Sequence, residues 1–382
     1  MIRSYLITAI RNLWRRKGYS AINVFGLALG ITVFLLIIQY ASFELSYDKH
    51  YPGHEQIYRI GLEQFLNGQP VQASAENYPA LGPALKRDLP EVEEFTRLYN
   101  LGAKNNIVVT HQGETEEIAF KQKRLLYAGQ SFLPMFSHQM LSGNRDLALS
   151  EPFKMVITES TAKKYFGNKN PVGKYLRMQD DDFNNELCEI TGVVKDVPAN
   201  SHLKFDILIS YSTLYARYDG SARARARYDE SWERKDMYTY VKLRAGTDPL
   251  QFASKFPNII QQYIPDLATE NREDHLILQP VADIHLYSSL NDEPEINGNG
   301  RMVYFLGIIA IFVLVIAYIN YINLSTARSI ERANEVGVRK VLGASRPQLV
   351  NQFLFESFII NLSAITIAFL FYLVFFPRFS SL

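Results

Sequence analysis

Three stretches of this chain carry no charge over long runs: Ser20 to Phe43 (24 residues), Met302 to Ala327 (26) and Ser357 to Pro377 (21). Each can cross a hydrocarbon layer of about 30 Å at ~1.5 Å per helical residue, so the pattern predicts three membrane-spanning helices. Ahead of the first, Arg3 to Lys17 places Leu6, Ile10, Leu13 and Trp14 on one helical face, with Arg11, Arg15, Arg16 and Lys17 on the remainder. That is the pattern of a helix lying in the membrane interface. A cleaved leader would have a shorter apolar region of about 7–15 residues, and Arg15-Arg16 is accounted for as orienting charge.

Between the first and second apolar stretches the periodicity changes. Tyr58, Ile60 and Leu62 alternate with Arg59, Gly61 and Glu63, predicting a half-buried strand. Pro79 to Leu89 reads as a helix stopped by Pro90, and Met155 to Ile157 as a strand whose successor helix is capped by Thr158 and closed by Gly167. Glu189 to Val194, Leu203 to Ile209 and the alternating Thr239, Val241 and Leu243 are further strands. Asp248 and Pro249 open a helix that Pro257 splits. Arg217 to Asp236, with Arg223, Arg225 and Arg227 in alternation, reads as a solvated loop. Strands interleaved with helices predict a compact mixed α/β domain.

The 47% hydrophobic content is ordinary for a soluble protein, and a mean hydropathy of −0.09 hides the apolar runs. Charge is more informative. The first 43 residues hold five basic residues and no acid, the part from Arg301 onward seven basic and three acidic, and the middle 28 basic and 36 acidic. Positive flanks around an acidic middle place both basic segments on the cytoplasmic side and the middle outside, and argue against nucleic acid as a partner for that middle section. The single cysteine, Cys188, excludes an intramolecular disulfide framework.

The most distinctive polar stretch is Ser325 to Gln348, between the second and third spans. Ser325 to Leu342 reads as a helix stopped by Gly343, and Ser345 with Gln348 forms a capping box for the next helix, with Pro347 in its first turn. Its mixed apolar and charged surface suits a groove on a partner. Within it, Glu331-Arg332-Ala333-Asn334-Glu335-Val336-Gly337-Val338-Arg339-Lys340-Val341-Leu342-Gly343-Ala344, followed by Gln352, Phe353 and Glu356, resembles the cytoplasmic motif of the MacB/FtsX-type permeases of ABC transporters. Ile190 to Asp206, ITGVVKDVPANSHLKFD, resembles the periplasmic core domain of the same permeases.

The resemblance implies a membrane protein of three transmembrane α-helices with a large α/β extracytoplasmic, MacB-like core domain between the first and second. On that pattern residues 1–19 are a cytoplasmic interfacial helix, 20–43 the first span and 44–300 the periplasmic domain, in which 44–99 and 235–300 form a porter-like part and 100–234 an inserted part. Residues 302–327 are the second span, 328–356 a cytoplasmic coupling segment, 357–377 the third span and 378–382 its outer end. Family members have a fourth span, so the chain reads as the first half of a longer, duplicated permease.

The same resemblance implies that Arg332, Glu335, Val336, Gly337, Arg339, Lys340 and Gly343 contact a separate cytoplasmic ABC ATPase. It further implies a second permease copy or half, and a periplasmic adaptor or regulated enzyme. The chain is then a non-catalytic subunit of a bacterial inner membrane, with its N-terminus in the cytoplasm. It transmits ATP-driven motion outward for export, lipoprotein release or cell-wall regulation. The competing reading is a membrane-anchored extracytoplasmic sensor or binding protein without an ATPase; an enzyme acting outside comes third.

Chemistry of other kinds finds no foothold in the residues, and no cofactor or metal is expected. Gly167 to Tyr175 has one residue too many for a phosphate loop and Tyr175 where a magnesium-binding hydroxyl belongs. Pro52 and Gly53 break any helix that would bring His50 and His54 to one face. Asp180, Asp181 and Asp182 have no calcium-loop continuation, and there is no G-x-S-x-G elbow. The three uncharged spans offer no acid or base for a proton relay. Asn320 and Asn323 suit either bonding between helices or the polarity of the lipid interface.

Overall fold

A computed structural model describes residues 11, 17–100, 107–112, 117–179, 186–218, 220–327 and 329–379. Most of the interfacial helix expected before Lys17, the triple aspartate at 180–182 and residues 380–382 lie outside the described residues. The chain divides into two compact units, one made of Met1–Leu45 with Asn299–Leu382 and the other of Ser46–Gly298.

In chain order, helix α1 (Lys17–Glu44) is followed by strands β1 (Ile57–Leu66) and β2 (Gln69–Ser74), helix α2 (Leu81–Asp88), and strands β3 (Val92–Asn100), β4 (Ile107–Gln112), β5 (Glu117–Gln122) and β6 (Leu125–Ala128). Next come α3 (Phe132–Met135), β7 (Met140–Gly143), β8 (Lys154–Thr158), α4 (Glu159–Phe166), β9 (Tyr175–Gln179), β10 (Glu186–Val194) and β11 (Ile207–Ser210). Helices α5 (Thr213–Ala216) and α6 (Ala222–Tyr228) lead to β12 (Tyr238–Leu243), then α7 (Pro249–Ala253), α8 (Phe256–Tyr263), β13 (Arg272–Pro280) and α9 (Ile284–Tyr287). The chain continues through α10 (Gly300–Ala327), α11 (Ser329–Val341) and α12 (Arg346–Phe379).

The second unit is built on one mixed sheet in the order β13-β1-β12-β3-β6-β11-β8-β10-β9-β4-β5, with β2 added to β1 and β7 to β10. Strands from 57–100 and 238–280 are contiguous at one end, and those from 107–210 at the other. Tyr58, Ile60 and Leu62 pack with Leu81, Leu85, Phe252, Phe256 and Ile259 on one face of β1. Ile57 joins Tyr240, Phe132, Phe136, Phe205 and Ile284 on the other. β1 is therefore covered on both faces from Ile57 to Leu62, including Arg59 and Gly61, rather than half-buried as its alternation suggested. β12 is covered the same way.

Local chemistry sets the element ends. The Thr158 hydroxyl accepts from the Thr161 N–H at the start of α4, and Gly167 ends it at φ +60. The Asp248 carboxylate accepts from the Leu250 N–H at 2.8 Å, and Pro257 sits in the first turn of a separate helix. Two expectations need correction. The strand expected from Leu203 begins only at Ile207, because residues 203–206 follow a segment fastened elsewhere. The stretch after Arg217 is not a solvated loop: α6 is capped by Ser221, and Arg217 is half-buried with its Nε 2.7 Å from Glu186 Oε1.

The first unit holds three helices long and apolar enough to cross a membrane, Lys17–Glu44, Gly300–Ala327 and Arg346–Pro377. Gly30 of α1 lets α10 approach so closely that an added Cβ would stand 2.4 Å from Ala317 Cβ. Leu27 and Ala28 of α1 form a buried cluster with Ala364 and Ala368 of α12. The Asn320 amide lies against α1 at Gly26.

Candidate functional site

The polar segment between the second and third apolar helices is shaped by its glycine. Gly343 has φ +90, a left-handed conformation that only glycine adopts at little cost. From there Ala344 N–H donates to Arg339 O and Gly343 N–H to Lys340 O, both at 3.0 Å, closing the end of α11 with the paired bonds of a Schellman turn. Ser345 N–H then donates to Gln348 Oε1 at 3.1 Å, half of the capping box at the head of α12. Two helices thus meet through a turn only a few residues long, fixed by its own backbone.

On this hairpin Val338, Val341 and Leu342 are 62%, 88% and 79% exposed, and Gly337 and Lys340 are exposed beside them. Val336 and Arg339 are half-buried, and Arg339 Nη1 donates to Gln352 Oε1 at 2.6 Å. Arg339 and Lys340 lie in the last turn of α11, where the helix dipole favours cations. The side chains of Arg332 and Glu335 lie outside the described ones. The structure therefore gathers Val336, Gly337, Arg339, Lys340 and Gly343 on one short helix and its closing turn.

In the second unit the segment 196–206 turns out to be a fastening. Asp48, fully buried just after α1 in sequence, takes the backbone N–H of His202 and the Ser201 hydroxyl on Oδ1, both at 3.1 Å. Its Oδ2 lies 2.9 Å from His202 Nδ1, while His202 Nε2 meets the Tyr240 hydroxyl at 2.9 Å. Asn200 adds bonds to Ser46, and Tyr51 OH bonds Ser201 Oγ at 2.8 Å. Burial alone would raise the Asp48 carboxyl, but the charge and hydrogen bonds of His202 hold it below the usual carboxylate range.

A second fastening holds the other end of the domain. Arg59, with no exposure, donates to both oxygens of Glu293, to Gln279 Oε1 at 2.7 Å and to Ser288 Oγ at 2.9 Å. The rings of Tyr47 and His285 stack with centroids 3.4 Å apart and 5° between planes. Sequence reading missed Asp48, Arg59, Glu293 and this stack. The one available signal was a charge, Arg59, flanked by apolar residues in a strand pattern.

A cleft of about 540 Å³ in the same unit is lined by Glu94, Arg97, Asp146, Tyr211 and Tyr215 among others. Arg97 is already engaged there, with Asp229 Oδ1 at 2.9 Å and the Tyr211 ring at 4.2 Å. Among the described residues no three His, Cys, Asp or Glu side chains are grouped to hold a metal ion.

Comparison with known proteins supplies the family. The family model of the MacB-like periplasmic core domain matches residues 20–259, and that of the FtsX-like permease C-terminal region matches residues 307–382. The macrolide export ATP-binding/permease protein MacB of Nitrosomonas europaea is 21% identical over 375 residues, covering 94% of this chain and 49% of its own length. The uncharacterized ABC transporter permease YknZ of Bacillus subtilis is 28% identical over 217 residues, 54% of this chain and 45% of its own. The chain thus spans about half the length of these curated relatives. The crystal structure of the periplasmic region of MacB from Actinobacillus actinomycetemcomitans aligns with 59% of this chain and 90% of its own, at 14% identity and a TM-score of 0.38. With a core-domain model over well more than half its length and a permease model over the remaining helices, this chain belongs to the MacB/FtsX-type ABC transporter permease family.

Proposed function

We propose that this chain is the permease subunit of an inner-membrane ABC transporter, and that it passes motion generated by a separate cytoplasmic ATPase to a domain on the periplasmic side. In this reading the N-terminus and α11 are cytoplasmic, and Arg332, Glu335, Val336, Gly337, Arg339, Lys340 and Gly343 form the surface that the ATPase grips. The observation that carries it is the short hairpin at Gly343. Val338, Val341 and Leu342 are exposed on it beside Lys340, with α10 and α12 on either side. Apolar side chains ringed by charge are the composition of a protein-binding patch.

The rigid fastenings at Asp48–His202 and Arg59–Glu293 support the outward half of the reading. They tie the residues following α1, and those approaching α10, to the core of the sheet. A second permease copy or half completes the assembly, with an adaptor or regulated enzyme outside. The task served is export, lipoprotein release or control of a cell-wall enzyme.

The test is co-purification of the ATPase with the detergent-solubilised chain. Reversing Glu335→Lys together with Arg339→Glu is expected to lower recovered ATPase by about tenfold, ~1.4 kcal/mol of binding. Unchanged recovery would overturn the reading. The second reading, an anchored periplasmic sensor or binding protein, has the 540 Å³ cleft in its favour; it predicts that no ATPase accompanies the unmodified chain.

A further inference from the structure

The buried row of α12 runs Leu349, Gln352, Glu356, Ile360, Ala364, Ala368, polar near its start and small near its end. On α1, Ser20 and Asn23 are buried in the first turns, Leu27 and Ala28 in the next, and Thr32 after them. Their register can be fixed from three contacts. Gly26 lies against Asn320 of α10, and the neighbouring Tyr321 hydroxyl accepts from Asn361 Nδ2 at 3.3 Å, so Gly26 and Asn361 stand at about one level. Further along, Thr32 Oγ1 contacts the Ala368 carbonyl at 3.3 Å. Both helices advance together, so α1 and α12 are parallel. Carried back along equal helical rises, this register sets Ser20 level with Glu356 and Asn23 level with the turn before Ile360.

The two halves of this seam differ. Leu27, Ala28, Ala364 and Ala368 close one half as a buried apolar cluster, with the Thr32 contact beside it. In the other half, among the described residues, Ser20 Oγ, both amide atoms of Asn23 and Gln352 Nε2 have no hydrogen-bond partner, although Asn23 is 2% and Gln352 8% exposed. A buried polar group without a partner is costly, so any shift that pairs these groups is favoured. The other end of the Gln352 amide holds Arg339 of α11.

We propose that α12 tilts against α1 about the Ala28–Ala364–Ala368 contact, so that Ser20, Asn23 and the Gln352 Nε2 group gain partners, and that Gln352 is the positioning residue linking this tilt to α11. The proposal rests on the coupling reading given above. It assigns the small-residue half as the fixed point and the polar half as the part that slides.

Paired cysteines in the full chain, with Cys188→Ser and reconstituted with its ATPase in vesicles, test it. Ala28→Cys with Ala364→Cys is expected to oxidise equally with and without vanadate-trapped ATP. Asn23→Cys with Ile360→Cys, and Ser20→Cys with Glu356→Cys, are expected to change by at least about fivefold, ~1 kcal/mol. Gln352→Leu should abolish that change with the ATPase still bound. Gln352→Glu, which still accepts from Arg339, should restore it. A Val341→Cys probe cross-linked to the ATPase separates the two ideas. If it cross-links and the inner pairs stay constant, or if the outer pair changes with them, the tilt is wrong and coupling stands. If it cross-links to no ATPase, coupling and tilt fall together.

Discussion

Arg59 shows how much a single side chain holds in place. Its guanidinium is shared among Glu293, Gln279 and Ser288 with no access to water, so Arg59→Met leaves a carboxylate uncompensated in the interior. A loss of about 3–5 kcal/mol is expected, read by denaturant unfolding of the detergent-solubilised chain. Burial pushes the Glu293 carboxyl up, but the hydrogen bond and charge of Arg59 bring it below its ordinary value. Its contribution is therefore complete above the usual carboxylate range and is lost as pH falls through the lowered value. His138 adds to the same acid limb by another route. Packed among the rings of Tyr51, Phe132, Phe136 and Phe205, it is pushed down to about 3 by burial and by the nearby His50. The unfolded chain takes up that proton near pH 6.5 and the folded one does not, so stability falls with pH below 6.5. His138→Phe should remove about 2 kcal/mol of the loss between pH 7 and pH 5, measured as the difference between unfolding curves at the two values. Arg59 and Asp48 did not declare their roles in the sequence. Arg59 sat in an alternation that points charges to solvent when only one face of a strand is covered, and Asp48 finds His202 across 154 positions.

Among the elements, those bounded by their own chemistry were legible. α4 lies between Thr158 and Gly167, and α7 begins at Asp248 and Pro249, because caps act within a turn of where they stand. Strands β3, β4 and β13 were not read, since their burial is set by neighbours drawn from distant parts of the chain. α6 was hidden by arginines at 223, 225 and 227, whose alternation imitates neither helix nor core, while its real anchors are Ser221 and the buried Ala224 and Tyr228. The three apolar helices needed no tertiary information, because length and lack of charge define them. What the pattern did not reveal is how closely α1 and α10 approach. Gly30→Leu has to displace Ala317 and is expected to cost about 1–3 kcal/mol, seen as a lower melting temperature in detergent. Gly307, with nothing within 4 Å of an added Cβ, should accept alanine without loss.

For the whole molecule the decisive question is sidedness, and the chain supplies a quiet background for measuring it. Cys188 has no exposure, and burial together with the charge of Glu186 pushes its thiol up to about 12 despite Arg217, so the folded protein should not react with maleimide at neutral pH. Against that background, Leu250→Cys, at an 82% exposed position, is expected to react with a membrane-impermeant maleimide in intact spheroplasts. Val341→Cys should react only after lysis. Labelling of Val341→Cys from outside would reverse the proposed orientation. The stack of Tyr47 on His285 adds a consequence of another kind. Both rings belong to the unit Ser46–Gly298, one at its start and one in its final helix, so the chain enters and leaves this unit through neighbouring points. Every strand of the sheet falls between those two points, so the sheet can change in sequence and loops without moving the places where the chain enters and leaves it.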